Sequence, residues 1–165
     1  MSWISRLLRY LRQQKCLDCI QVPCWRVSGT KDYPSFLRAL VDLVPAGSVL
    51  YIEGGGTPPS DVKFYLEERS AQETFKIRRG TLLPTPKIFH IPITKENLYG
   101  LADLEGKYPT PIGSIHVHVY KDRKILLQSY DAFLDPFYIS KEIPQDKVKE
   151  FCNKIGSERK ETYNY

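Results

Sequence analysis

The sequence predicts an α/β or α+β fold: one domain with a mixed sheet of about 4–5 strands, helices packed on it and a basic amphipathic helix in front. Three observations carry this expectation. Segments with apolar residues at helical spacing alternate along the chain with short apolar or alternating runs that read as strands. The 165 residues suit one domain, since single domains cluster near ~100–150 residues. At 42% hydrophobic and 26% charged, the composition is that of a soluble globular chain and excludes collagen, coiled coil and wholesale disorder. No uninterrupted apolar run approaches the ~18 residues of a membrane-spanning helix.

The elements follow in chain order. In residues 2–14, Ile4, Leu7, Leu8 and Leu11 recur at helical spacing, with Arg6, Arg9 and Arg12 on the opposite side. Residues 1–30 hold five basic residues and one acid, so nearly all of the net charge of +5 lies there. Such a helix docks on the core, fills a partner's groove, lies on an anionic membrane surface with Trp3 at the interface, or serves as an Arg-rich, acid-poor organelle-import presequence. The rest of the chain is close to neutral, which disfavours nucleic acid as a partner.

Asp32-Tyr33-Pro34-Ser35 opens the next helix, with proline in the first turn where its missing N–H costs nothing. Phe36, Leu37, Leu40, Val41 and Val44 form its apolar face, and Pro45-Ala46-Gly47 ends it. Residues 48–52 read as a buried strand and residues 60–69 as a helix. Residues 70–86 read as irregular, residues 87–93 as a strand, and Thr94 as the cap of a helix that runs to about Leu104. Ile115 to Tyr120 alternates and pairs as a hairpin with residues 125–130. Residues 137–140 read as a short strand and residues 144–155 as the last helix, with Gly156 as its C-cap. The expected division is 1–30 helix and cysteine-containing linker, 31–156 domain, and 157–165 polar, frayed tail. Strands separated by helices suggest parallel pairing in the first half.

Four cysteines occur: Cys16, Cys19, Cys24 and Cys152. No signal peptide is visible, so a cytoplasmic, reducing location with free thiols is expected. Cys16-Leu17-Asp18-Cys19 is a CxxC, but a structural zinc site takes four ligands and often two such pairs. No metal or other cofactor is expected. If zinc is bound, its candidate ligands are Cys16, Cys19, Cys24, His90, His116 and His118.

Two places offer chemistry. The first is the loop Glu53-Gly54-Gly55-Gly56-Thr57 after the first central strand, where glycine N–H groups can approach a ligand. It matches neither dinucleotide nor P-loop spacing, and Glu53 and Asp61 repel anions, so the fitting ligand is cationic or hydroxyl-bearing. Gly54, Gly55, Gly56 and Thr57 are its ligand-binding candidates. The second is His116-Val117-His118, whose imidazoles share one strand face. Ile115, Val117 and Val119 should meet the core, leaving the histidines and Tyr120 on a solvent face. Glu53, His116 and His118 are the catalytic candidates, with His90 as a possible third member of a histidine cluster.

No complete catalytic motif is present, and seven of the eleven tyrosines lie between Tyr99 and Tyr165. Tyrosine favours contact surfaces, so the leading expectation is an accessory or protein-binding module that meets a protein partner or itself. The alternatives are a small hydrolase-like enzyme and a peripheral membrane protein held by residues 2–14. Convergence of Glu53 with the histidines on one site would favour the enzyme.

Overall fold

The structure, a computed structural model, describes residues 16–17, 23–28, 30, 32–54, 58–72, 76–77, 85–108, 116–130 and 136–162. In chain order these form β1 (Cys16–Leu17), β2 (Cys24–Val27), α1 (Tyr33–Leu43), β3 (Val49–Gly54), α2 (Ser60–Arg69), β4 (Lys76–Ile77), β5 (Lys87–Pro92), α3 (Lys95–Glu105), β6 (His116–Lys121), β7 (Lys124–Ser129), β8 (Phe137–Ser140), α4 (Gln145–Ile155) and β9 (Arg159–Thr162). The helix expected over residues 2–14 lies outside the described residues.

Local chemistry sets the helix ends. The Asp32 carboxylate accepts the Ser35 N–H at 3.2 Å and starts α1, with Pro34 in its first turn. The Thr94 hydroxyl accepts the Asn97 N–H at 3.1 Å and starts α3. Gly156 ends α4 in the left-handed region, at φ 66°, where the lack of a Cβ removes the steric cost.

Seven strands form one sheet in the order β5-β3-β6-β7-β8-β2-β9, and every adjacent pair is antiparallel. The fold is therefore α+β. Two readings of the sequence are corrected here. The strand count rises because residues 24–27, read as linker, pair with β8 and β9, and residues 159–162, read as tail, form an edge. Among the described residues parallel pairing occurs only between the two-residue strands β1 and β4, outside the main sheet. The order of strands and helices cannot reveal this. Here β3 and β5 are neighbours, yet they run in opposite directions although α2 lies between them in the chain.

The helices cover one face of the sheet. Phe36, Leu37 and Leu40 of α1, Leu98 and Leu101 of α3, and Val148 and Phe151 of α4 pack on Leu50, Ile52, Ile91, Val117, Val119, Phe137 and Ile139 in one continuous cluster. Phe36, Phe137 and Phe151 form an edge-on trio at 5.6–6.2 Å that joins α1, β8 and α4. No described helix is long and apolar enough to cross a membrane.

Candidate functional site

Strand residues alternate between faces, so every second residue of β3, β5 and β6 points away from the helices. The register places these residues side by side. His90 pairs with Tyr51, Tyr51 with His118, His118 with Gln128, Gln128 with Tyr138 and Tyr138 with Arg26. One rung of the second face is thus polar from β5 to β2. The next rung pairs Glu53 with His116.

Burial differs along that rung. His90, Tyr51, His118 and Gln128 are buried, Tyr138 is half-buried and Arg26 is exposed. Glu53 is 0% exposed and His118 1%. The expectation of a solvated histidine face is therefore overturned, because this face is covered. Part of the cover is β4, whose Ile77 is buried against Tyr51 and Tyr120.

The contacts within the layer are specific. The Tyr51 hydroxyl and Glu53 Oε2 are hydrogen-bonded at 2.9 Å. His90 Nδ1 and the Tyr120 hydroxyl are hydrogen-bonded at 2.9 Å. The His118 ring stacks on Tyr51, centroid to centroid 5.4 Å. Tyr130 meets both His116 and His118 edge-on, each at 5.1 Å. Among the described residues neither ring nitrogen of His118 has a hydrogen-bond partner. Burial pushes the His118 imidazole down to about 3, the nearby His116 charge acts in the same direction, and Glu53 opposes both. At neutral pH His118 is an uncharged ring with one N–H to donate and one lone pair to accept.

The fold thus brings together Glu53, His90, His116 and His118. Gly54 closes β3 as the partner of Lys87 and is buried. Gly55, Gly56 and Thr57 lie outside the described residues. Cys19 lies outside them too, while Cys24 is buried beside Ile125 and Cys152 is buried in the helix-side core. Cys16 belongs to β1, which pairs with β4 in a separate two-stranded sheet.

Among the described residues no group of three His, Cys, Asp or Glu side chains could hold a metal ion. The sheet explains this for the histidines. His90 and His118 flank Tyr51, two strand spacings or about 9–10 Å apart, whereas two nitrogens on one zinc must each lie ~2.0–2.1 Å from it.

Tyr51, Gln128 and Tyr130 belong to the layer and are absent from the candidates read off the sequence. The signal for Tyr51 was present: it stands two residues before Glu53, and the same period that joins His116 to His118 joins this pair. Reading residues 48–52 as uniformly apolar hid it. Comparison of the chain with protein-family models, with curated proteins and with solved structures finds no match in any of the three.

Proposed function

We propose that the covered polar face is an acid–base site for a small uncharged molecule, and that the protein is a small enzyme of hydrolase type. The observation that supports this best is His118, a fully buried imidazole whose two nitrogens have no partner among the described residues, set beside Glu53 and His116. Leaving such a group unsatisfied costs about 1–3 kcal/mol, and buried polar groups in folded proteins are overwhelmingly paired. A substrate that accepts the His118 N–H and donates to its other nitrogen would remove that cost.

In this reading Glu53 and His116 are the proton-transfer pair. Directly paired residues on antiparallel strands have Cα atoms roughly 4.5–5.5 Å apart, so the two side chains can serve one substrate atom. The Tyr51 hydroxyl holds the Glu53 carboxylate in place. His118, too weak a base to take a proton near neutrality, instead polarises a substrate oxygen as a neutral donor.

Chromogenic ester, phosphoester and glycoside substrates test the proposal. Turnover above buffer on one of them should fall at least ~100-fold in Glu53→Gln and in His116→Asn, as loss of a general acid or base does. Near-ultraviolet dichroism should show both variants folded. Absence of turnover on all three classes, or turnover indifferent to both substitutions, overturns the reading.

The second reading is a protein-binding or self-associating module. Phe64 on α2 favours it, as the one large hydrophobic residue among those described that is exposed, at 67%. The tyrosines favour it less, since Tyr120 is buried and Tyr130 packs on the two histidines. Sedimentation of wild type and Phe64→Asp decides whether Phe64 mediates association.

A further inference from the structure

The helix-bearing side carries a separate groove of about 550 Å³, between the end of α1, the β6–β7 turn and the start of α4. That volume lies within the ~300–1,000 Å³ of small-molecule sites. Its floor is apolar: Leu43, Leu126 and Ile143 line it, and each belongs to the main hydrophobic cluster.

Two features of the backbone shape it. Val119 pairs with Leu127 and Tyr120 with Ile125, so Leu126 is the extra residue of an irregularity in β7. Such a bulge re-aims a side chain, and here the re-aimed residue lines the groove. The adjoining turn holds Asp122 at φ 47° and Arg123 at φ 66°. A two-residue hairpin loop of this hand normally takes Asn, Asp or Gly first and Gly second, so Asp122 fits and Arg123 holds its place at a steric cost.

The charges at the rim select the ligand. Lys124 is committed to Glu142 at 2.8 Å. Lys121 of β6 and Lys147 of α4 also line the groove, and no described residue forms an ion pair with either. Asp122 is the only other charged lining residue, so the uncommitted charge is positive by one. We propose that the groove binds a small organic acid: a singly charged carboxylate held by Lys121 and Lys147, with an apolar body on Leu43, Leu126 and Ile143. Asp122 disfavours a phosphate dianion at the same rim by like-charge repulsion.

Decanoate is the probe, titrated into methyl-labelled protein below its micelle concentration and near neutral pH. The Leu43, Leu126 and Ile143 methyl resonances should shift and saturate. Decan-1-ol should bind at least about tenfold more weakly, because it lacks the charge. The double variant Lys121→Gln/Lys147→Gln should weaken decanoate by a similar factor and leave decanol unchanged, since these side chains are outside the core. The proposal is overturned if those methyls do not shift or do not saturate. It is equally overturned if decanol matches decanoate, or if the double variant binds decanoate like the wild type.

Discussion

Replacing His118 by leucine separates a functional imidazole from a structural one, and its effect can be worked from the buried layer. In the folded protein His118 resists protonation down to about pH 3, against an ordinary 6.5. Between those values the unfolded chain binds a proton that the folded chain does not, so acid favours unfolding. This contribution is intact above the unfolded value and is lost progressively as the pH falls below it. From the two values, the loss relative to pH 7 is about 2 kcal/mol at pH 5 and about 3 kcal/mol at pH 4. The groups facing the ring are His116 on its own strand, Tyr51 and Glu53 on β3, Gln128 on β7, and Tyr130.

Urea unfolding followed by circular dichroism, at matched pH values for wild type and His118→Leu, reads the effect. Carboxylates titrate in the same window in both proteins, so the difference between the two curves isolates His118. Wild type should lose about 2 kcal/mol more than the variant between pH 7 and pH 5. At pH 7 the variant gains about 1–3 kcal/mol from removing an unsatisfied buried group and loses about 0.5–1.5 kcal/mol of ring stacking on Tyr51. A variant more stable than wild type by about 1 kcal/mol is expected. Parallel stability curves would refute the reasoning, and so would an imidazole resonance of His118 that titrates near its ordinary value.

Three further outcomes test the packing. A Cβ added at Gly100 meets the Tyr65 ring, with Cζ at 2.9 Å, so Gly100→Ala on α3 should push Tyr65 off the Asn97 carbonyl and cost about 1–3 kcal/mol in urea unfolding. In a Tyr65→Ala background the same change should instead stabilise by up to about 1 kcal/mol, as alanine does in a helix. Phe36→Ala, which empties the centre of the aromatic trio, should cost about 3–5 kcal/mol, while Phe64→Ala on the exposed side of α2 should stay within about 0.5 kcal/mol of wild type. Gly156→Ala should cost about 1–2 kcal/mol through backbone conformation alone, since nothing lies within 4 Å of the added Cβ; a shift in melting temperature reads it.

What the sequence made legible is what local chemistry decides. Asp32 with Pro34, Thr94, and Gly156 mark helix ends through bonds made within a few residues, and each acts as expected. The alternation in residues 115–120 correctly separated Val117 and Val119 from the histidines. Strand pairing is different in kind, because it depends on residues far apart in the chain. A short apolar run such as residues 48–52 fits any strand covered on both faces, parallel or antiparallel. Residues 159–162 show the opposite failure. Arg-Lys-Glu-Thr carries no apolar signal because β9 is a sheet edge, where charge protects against further pairing. Convergence of Glu53 on His116 belongs to the same class: alternation gives each residue its face, and only the β3–β6 register makes them neighbours.

The sheet is buried on both faces across β5, β3, β6 and β7, but the two faces solve different problems. The helix side supplies a continuous apolar cluster running through α1, α2, α3, α4 and six strands, which is the ordinary source of stability for a domain of this size. The other side is covered as well, and apolar residues there would add burial without polar groups to satisfy. Instead one rung carries His90, Tyr51, His118 and Gln128, and the next pairs Glu53 with His116. A merely structural polar layer would close its hydrogen bonds, because unmade ones inside a protein are expensive. Tyr51 is bonded to Glu53, and His90 is bonded to Tyr120 through Nδ1. His118, in the middle of the same rung, has no such bond among the described residues. Stability alone gives no reason to keep an imidazole there, since leucine should serve better. Proteins hold destabilising groups where activity requires them. The excess stability expected of His118→Leu is therefore more than a packing test: gained together with lost turnover, it measures what the site costs the fold.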